Sequence, residues 1–159
     1  MFKAVFAFLL AIMPLFSQTI HFYEEKYYDA LGKTFDKKGK ITFAGEKIQI
    51  VYDDDNTTVT YTGDFLYMQK EGKTKKLDLS KKPAAKMFFL LFEAIYFNKQ
   101  KVLNSYFISQ NFKGIIVLTP REHVSRYINI VRYKKIKNKL KFLEIKLTNK
   151  DWVQIEELD

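Results

Sequence analysis

The chain has 159 residues, no cysteine, and 27 Lys and Arg against 18 Asp and Glu, a formal net charge of +9. That length allows one domain with a real core, and the missing cysteines exclude a disulfide scaffold and any thiol that could carry a lipid. The positive charge suits an acidic partner or an anionic surface, but the lysines are scattered and read first as solvated strand faces.

The first residues resemble an export signal. Lys3 supplies a short positive segment, Ala4 to Phe16 is apolar apart from Pro14, and Ser17 is a small residue at the expected cleavage point. The run is too short for a secure membrane anchor, which needs ~20 residues. The expected organisation is a signal over 1–17 and one mature domain over 18–159, soluble and periplasmic. A buried N-terminal strand or helix is the alternative for the first segment.

Past the signal, Gln18 to Tyr28 alternates loosely and predicts a strand. Asp36-Lys37-Lys38-Gly39 is expected to turn into a strand over Lys40 to Ala44, and Gly45-Glu46 into another. There Ile48, Ile50 and Tyr52 share one face. Asp53-Asp54-Asp55-Asn56 reads as a turn, since Asp and Asn accept turn conformations. It lacks the glycine and distant glutamate of an EF-hand loop. Short strands are then expected around Val59 and Tyr61, over Phe65 to Gln69, and over Lys75 to Leu79, at hairpin spacing.

Ser80 is a candidate cap for a helix that starts near Lys82-Pro83 and runs to about Phe97. Its stretch MFFLLFEAIYF, Met87 to Phe97, is apolar nearly all round, where a surface helix would show a charged face. Both sides must be covered. The run fits either a plug or lid over a hydrophobic cavity or an ordinary core helix. A second helical piece is expected over Lys99 to Asn104. Strands resume over Tyr106 to Gln110, Gly114 to Thr119, Tyr127 to Lys134, Leu140 to Leu147 and Asp151 to Glu157. Trp152 is expected to pack at the end of the last strand.

These elements predict a mainly β (α+β) protein. Its frame is one antiparallel sheet of roughly ten strands, curling into an incomplete barrel whose hydrophobic concave face a helical insert covers. No internal repeat or linker is visible. The expected cavity lining is Phe88, Phe89, Leu91, Phe92, Ile95 and Tyr96 from the helix. The sheet would contribute Ile48, Ile50, Tyr52, Val59, Tyr61, Ile116 and Leu118.

The two histidines, His21 and His123, stand far apart and in no metal-ligand spacing. There is no phosphate-cradling glycine loop and no nucleophile elbow, and any triad drawn from Ser125, His123 and an aspartate is arbitrary. The expectation is a non-enzyme with no cofactor and no metal. No nucleic-acid recognition motif accompanies the basic residues, and an export signal argues against that partner.

The order of elements resembles the periplasmic outer-membrane lipoprotein carriers, the LolA-like family, over nearly the whole mature chain. Phe16-Ser17-Gln18-Thr19 is similar to the family's F-x-Q-T. Gly39-Lys40-Ile41-Thr42-Phe43 with Ile48 to Tyr52 is similar to its G-x-(apolar)-x-F segment and following strand. Thr62-Gly63-Asp64-Phe65-Leu66-Tyr67 matches a family hairpin, and Lys82-Pro83 opens its helical insert. Asn104-Ser105-Tyr106-Phe107 and Leu118-Thr119-Pro120-Arg121 match later segments.

The resemblance implies a monomeric carrier that shields acyl chains of lipoproteins, or of a related lipid, between the inner and outer membranes. It implies an inner-membrane ABC transporter complex and an outer-membrane receptor as partners. The shorter, divergent branch fits better. The family's usual N-terminal helix has no clear counterpart. Its lid-holding arginine is absent too, Lys47 and Gln49 occupying that stretch. The alternative is a periplasmic interaction or structural module of the same fold with no lipid cargo.

Overall fold

A computed structural model describes residues 17–159. The segment read as an export signal lies outside the described residues up to residue 16; Ser17 already opens the first strand.

The protein is mainly β. Eleven strands form one antiparallel sheet: β1 (Ser17–Tyr28), β2 (Lys33–Ala44), β3 (Lys47–Tyr52), β4 (Thr58–Tyr61), β5 (Phe65–Lys70), β6 (Lys73–Asp78), β7 (Phe107–Phe112), β8 (Ile115–Pro120), β9 (Ile128–Ile136), β10 (Lys139–Leu147) and β11 (Trp152–Glu157). Their order in space is β6-β5-β4-β3-β2-β1-β11-β10-β9-β8-β7. The sheet is open, with β6 and β7 as its edges. The two halves of the chain are meanders that join where the first strand pairs the last. Two helices, α1 (Pro83–Tyr96) and α2 (Gln100–Tyr106), carry the chain from one edge to the other. An all-antiparallel meander with one long connection has to spend that connection crossing a face, and the apolar helix is the segment suited to it.

Local chemistry explains the elements. Three hairpins are two-residue turns with both central residues at positive φ: Glu71-Gly72, Lys113-Gly114 and Lys137-Asn138. That geometry matches the right-handed twist of the strands it joins. β3 alternates strictly, burying Ile48, Ile50 and Tyr52. The edge strand β6 carries Lys73, Lys75 and Lys76, all exposed, which discourages pairing with another chain. Pro83 starts α1 at its first turn. Asp78, rather than Ser80, supplies the capping carboxylate here; it accepts from the Ser80 N–H at 2.9 Å and ends β6 in a short 3-10 turn.

The expected turn at Asp36–Gly39 is not there. β2 runs unbroken through it, and the reversal from β1 falls earlier, in a short 3-10 turn at Asp29–Leu31 closed by Gly32. Lys37 and Lys38 pair opposite Glu24 and Tyr23 of β1, so these charges belong to a solvated strand end. Gly39 serves close approach instead of turning. A Cβ there would collide with the Val51 carbonyl oxygen and lie 3.0 Å from the Phe22 ring.

One contiguous core fills the space between α1 and the sheet. Phe22, Phe92, Phe107, Ile41, Ile48 and Leu118 are among its largest fully buried side chains.

Candidate functional site

The two halves of α1 meet different surroundings. The C-terminal half is packed solid. Phe43 of β2 stacks on Phe92 at 5.6 Å and on Tyr96 at 4.8 Å, and meets Phe97 edge-on at 5.0 Å. Gln18 donates from Nε2 to the Tyr96 hydroxyl at 2.9 Å. Lys135 of β9 reaches across the face and donates to the Ile95 and Tyr96 carbonyls, at 3.1 and 2.8 Å, and to Asn98 Oδ1 at 3.1 Å. These are unpaired carbonyls at a helix C-terminus, where a cation is also favoured by the helix dipole. Burial pushes the Lys135 ammonium below its ordinary value, and nearby Glu157 opposes that shift.

The N-terminal half faces a cavity of about 750 Å³. Ala84, Ala85, Phe88 and Phe89 form its helical wall. Phe89 also stacks on Tyr61 at 4.7 Å. Ile50, Tyr52, Val59 and Leu66 line one flank of the sheet, and Ile128, Ile145, Leu147 and Val153 line the other. The cavity opens where its lining is exposed: at Tyr28, Leu31 and Phe35 around the β1–β2 reversal, and at Met68 of β5. Leu31 is 62% exposed and Phe35 47%. Large apolar side chains left in water at the mouth of an apolar cavity mark a place where something else binds.

Cross-strand register explains where the lining changes character. Ile116, Tyr133, Leu143, Ile155, Glu24 and Lys37 stand directly opposite one another, from β8 through to β2. The row is apolar until it reaches β1. There Glu24, 3% exposed, continues the inward face begun by Ile20 and Phe22. Lys26 Nζ lies 3.2 Å from Glu24 Oε1, and the Tyr52 hydroxyl donates to the same oxygen at 3.2 Å. Burial and the neighbouring Glu24 charge hold the Tyr52 phenol well above its ordinary value, so it stays a donor. Lys37 Nζ sits 4.7 Å from the centre of the Tyr52 ring.

Of the thirteen residues expected to line a cavity, Phe88, Phe89, Ile50, Tyr52 and Val59 do so. Leu91, Phe92, Ile95, Tyr96, Ile48, Tyr61, Ile116 and Leu118 belong to the filled core beside it, with Ile116 only partly buried. Glu24, Lys26 and the mouth residues were not foreseen. The signal for Glu24 was present: the alternation Ile20, Phe22 lands on it two residues later. Trp152 begins the last strand rather than ending it; it stacks on Tyr27 at 5.9 Å and lines the cavity.

His21 and His123 are not in the lining. The His123 ring lies 5.7 Å from that of Tyr106, and Ser125 donates its hydroxyl to the Glu122 carbonyl at 2.8 Å. Asp55 is fixed within its turn, accepting from the Thr57 N–H and from Lys70, each at 3.0 Å. Among the described residues no helix is long and apolar enough to cross a membrane, and no cluster of His, Cys, Asp and Glu is placed to hold a metal ion.

The sequence matches no protein-family model. It matches no curated protein either. Among solved structures the chain is similar to lipoprotein LppX of Mycobacterium tuberculosis. The TM-score is 0.44 and the identity 10%, over 88% of this chain and 84% of that one.

Proposed function

We propose that this protein is a non-catalytic carrier that shields acyl chains of a lipoprotein or related lipid during transfer between membranes. The single observation that supports this reading is the apolar cavity of about 750 Å³ under the N-terminal half of α1, continuous with exposed apolar side chains at its mouth. Its volume falls within the ~300–1,000 Å³ of ordinary small-molecule sites. Each buried methylene stabilises by ~0.8 kcal/mol, so an apolar pocket of this kind can draw a chain out of a bilayer without any nucleotide. Release then needs only a receptor with a better pocket. The LolA-like motifs of the sequence agree with this role, with the periplasm as its place, and with an inner-membrane donor complex and an outer-membrane acceptor as its partners.

The test is native mass spectrometry of the mature protein with an added acylated peptide, beside an Ala85→Trp variant. Ala85 lies in the cavity wall and is not fully buried, so an indole there fills the cavity from the helix side. The expected result is a one-to-one complex that the variant fails to form. A folded wild-type protein that takes up neither acylated peptide nor lipid would make this an interaction module without cargo.

A further inference from the structure

The carrier reading above leaves the cargo's polar group open, and the cavity wall addresses it. Glu24 is the only charged residue buried among the described residues, and it lies in the lining of an otherwise apolar cavity. Both of its contacts, from Lys26 and from Tyr52, reach Oε1. Oε2 accepts no hydrogen bond from the described residues, although an ionised carboxylate has acceptor capacity on both oxygens. While the cavity is open, solvent can serve that oxygen. A cargo that fills the cavity expels the solvent, so the cargo must bring a donor of its own or leave the carboxylate unsatisfied.

The cations of this corner are already committed. Lys26 is paired with Glu24, and Lys37 lies 3.7 Å from Asp55 and 4.0 Å from Asp54. The remaining charged residue of the lining is an acid, Asp151. An anionic headgroup placed here would meet the Glu24 carboxylate with no unpaired ammonium in the lining to offset it. We propose that the cavity selects amphiphiles whose polar group is uncharged and donates hydrogen bonds, a hydroxyl or amide N–H meeting Glu24, and discriminates against carboxylate-headed lipids of equal chain length. Selectivity of this kind comes from a buried polar group that one ligand satisfies and its competitor does not.

The experiment measures displacement of a fluorescent apolar probe from the purified protein at pH 8. The competitors are monomyristoylglycerol and myristate, which share a chain and differ in their head. The glycerol ester is expected to bind at least ten-fold tighter. Glu24→Gln, which keeps the shape and an acceptor but removes the charge, should reduce the ratio to about three-fold or less by admitting myristate. Glu24→Leu should bring it to about one while both ligands still bind. Equal affinity in the wild type, or a preference for myristate, overturns the headgroup proposal and leaves the carrier reading intact. Binding of neither ligand by folded protein overturns both. Should the Glu24 variants misfold, the wild-type ratio alone still decides.

Discussion

Phe88 and Phe92 are one helical turn apart on α1, and their rings are near-parallel at 6.2 Å, yet they should behave differently when replaced. Phe92 is 1% exposed and stacked on Phe43. Phe92→Ala removes a fully buried ring from the packed half of the helix and is expected to cost about 3–5 kcal/mol of stability. Phe88 is only partly buried and faces the cavity. A glutamate at 88 can stay hydrated while the cavity is open, so Phe88→Glu should change stability by about 1 kcal/mol or less. Filling the cavity with an acyl chain then strips water from that carboxylate, and desolvating an unpaired charge costs several kcal/mol. With every 1.4 kcal/mol worth ten-fold in affinity, cargo binding should fall by about 100-fold or more. Urea denaturation gives the stabilities, and probe displacement by an acylated peptide gives the affinities. A folded Phe88→Glu protein that binds within about three-fold of wild type would refute the division of α1 into a cavity half and a core half. So would a Phe92→Ala protein that loses binding at unchanged stability.

Gly39→Ala should destabilise by about 1–3 kcal/mol, because the new methyl meets the Val51 backbone carbonyl, which cannot swing aside as a flexible side chain would; chemical denaturation reads this directly. Lys135→Met keeps an apolar stem but strips donors from the Ile95 and Tyr96 carbonyls. The expected cost is about 1–2 kcal/mol, with faster amide exchange in the last turn of α1. Tyr52 is raised above its ordinary value, so above pH ~10 an unfolded chain gives up a phenolic proton that the folded chain keeps. Stability should therefore decline as pH rises through that region, and Tyr52→Phe should make the decline shallower in denaturation series between pH 8 and 11.

The strand content was legible because period-two alternation and turn chemistry agreed with each other. Ile48, Ile50 and Tyr52 face inward as alternation requires, and the Asp53–Asp55 turn follows at once. The misplaced turn at Asp36–Gly39 arose where those signals diverge. A charged run ending in glycine resembles a loop, but in a long twisted strand it is a solvated end whose glycine lets two backbones approach. Within the helix, an apolar stretch reports burial without saying whether the neighbour is protein or an empty volume. Phe88 and Phe92 are chemically identical, and what separates them is the Phe43 stack contributed from a distant strand. The same limit hid Glu24: its alternation was visible, but its role depends on Lys26, Tyr52 and a cavity that exists only once β1, β3 and α1 have come together.

The anchoring of α1 and the position of the cavity bear on each other. The helix is held at its C-terminal end by aromatic stacking and by Lys135, which caps it from β9. Its N-terminus has no side-chain cap, and its first turns present Ala84 and Ala85 to the cavity. The Lys86–Asp64 ion pair there, at 3.3 Å, is exposed on both sides and contributes little. A rigid rod fixed at one end admits a larger ligand most cheaply at the other, because widening there breaks few contacts while widening at the anchored end would separate a close-packed aromatic stack. The cavity and its exposed mouth lie at the lightly held end. In this chain Lys135 therefore fixes which end of the cover stays put, which is a different task from the lid-holding contact expected of the family's arginine, and it leaves the cavity end free to adjust to the cargo.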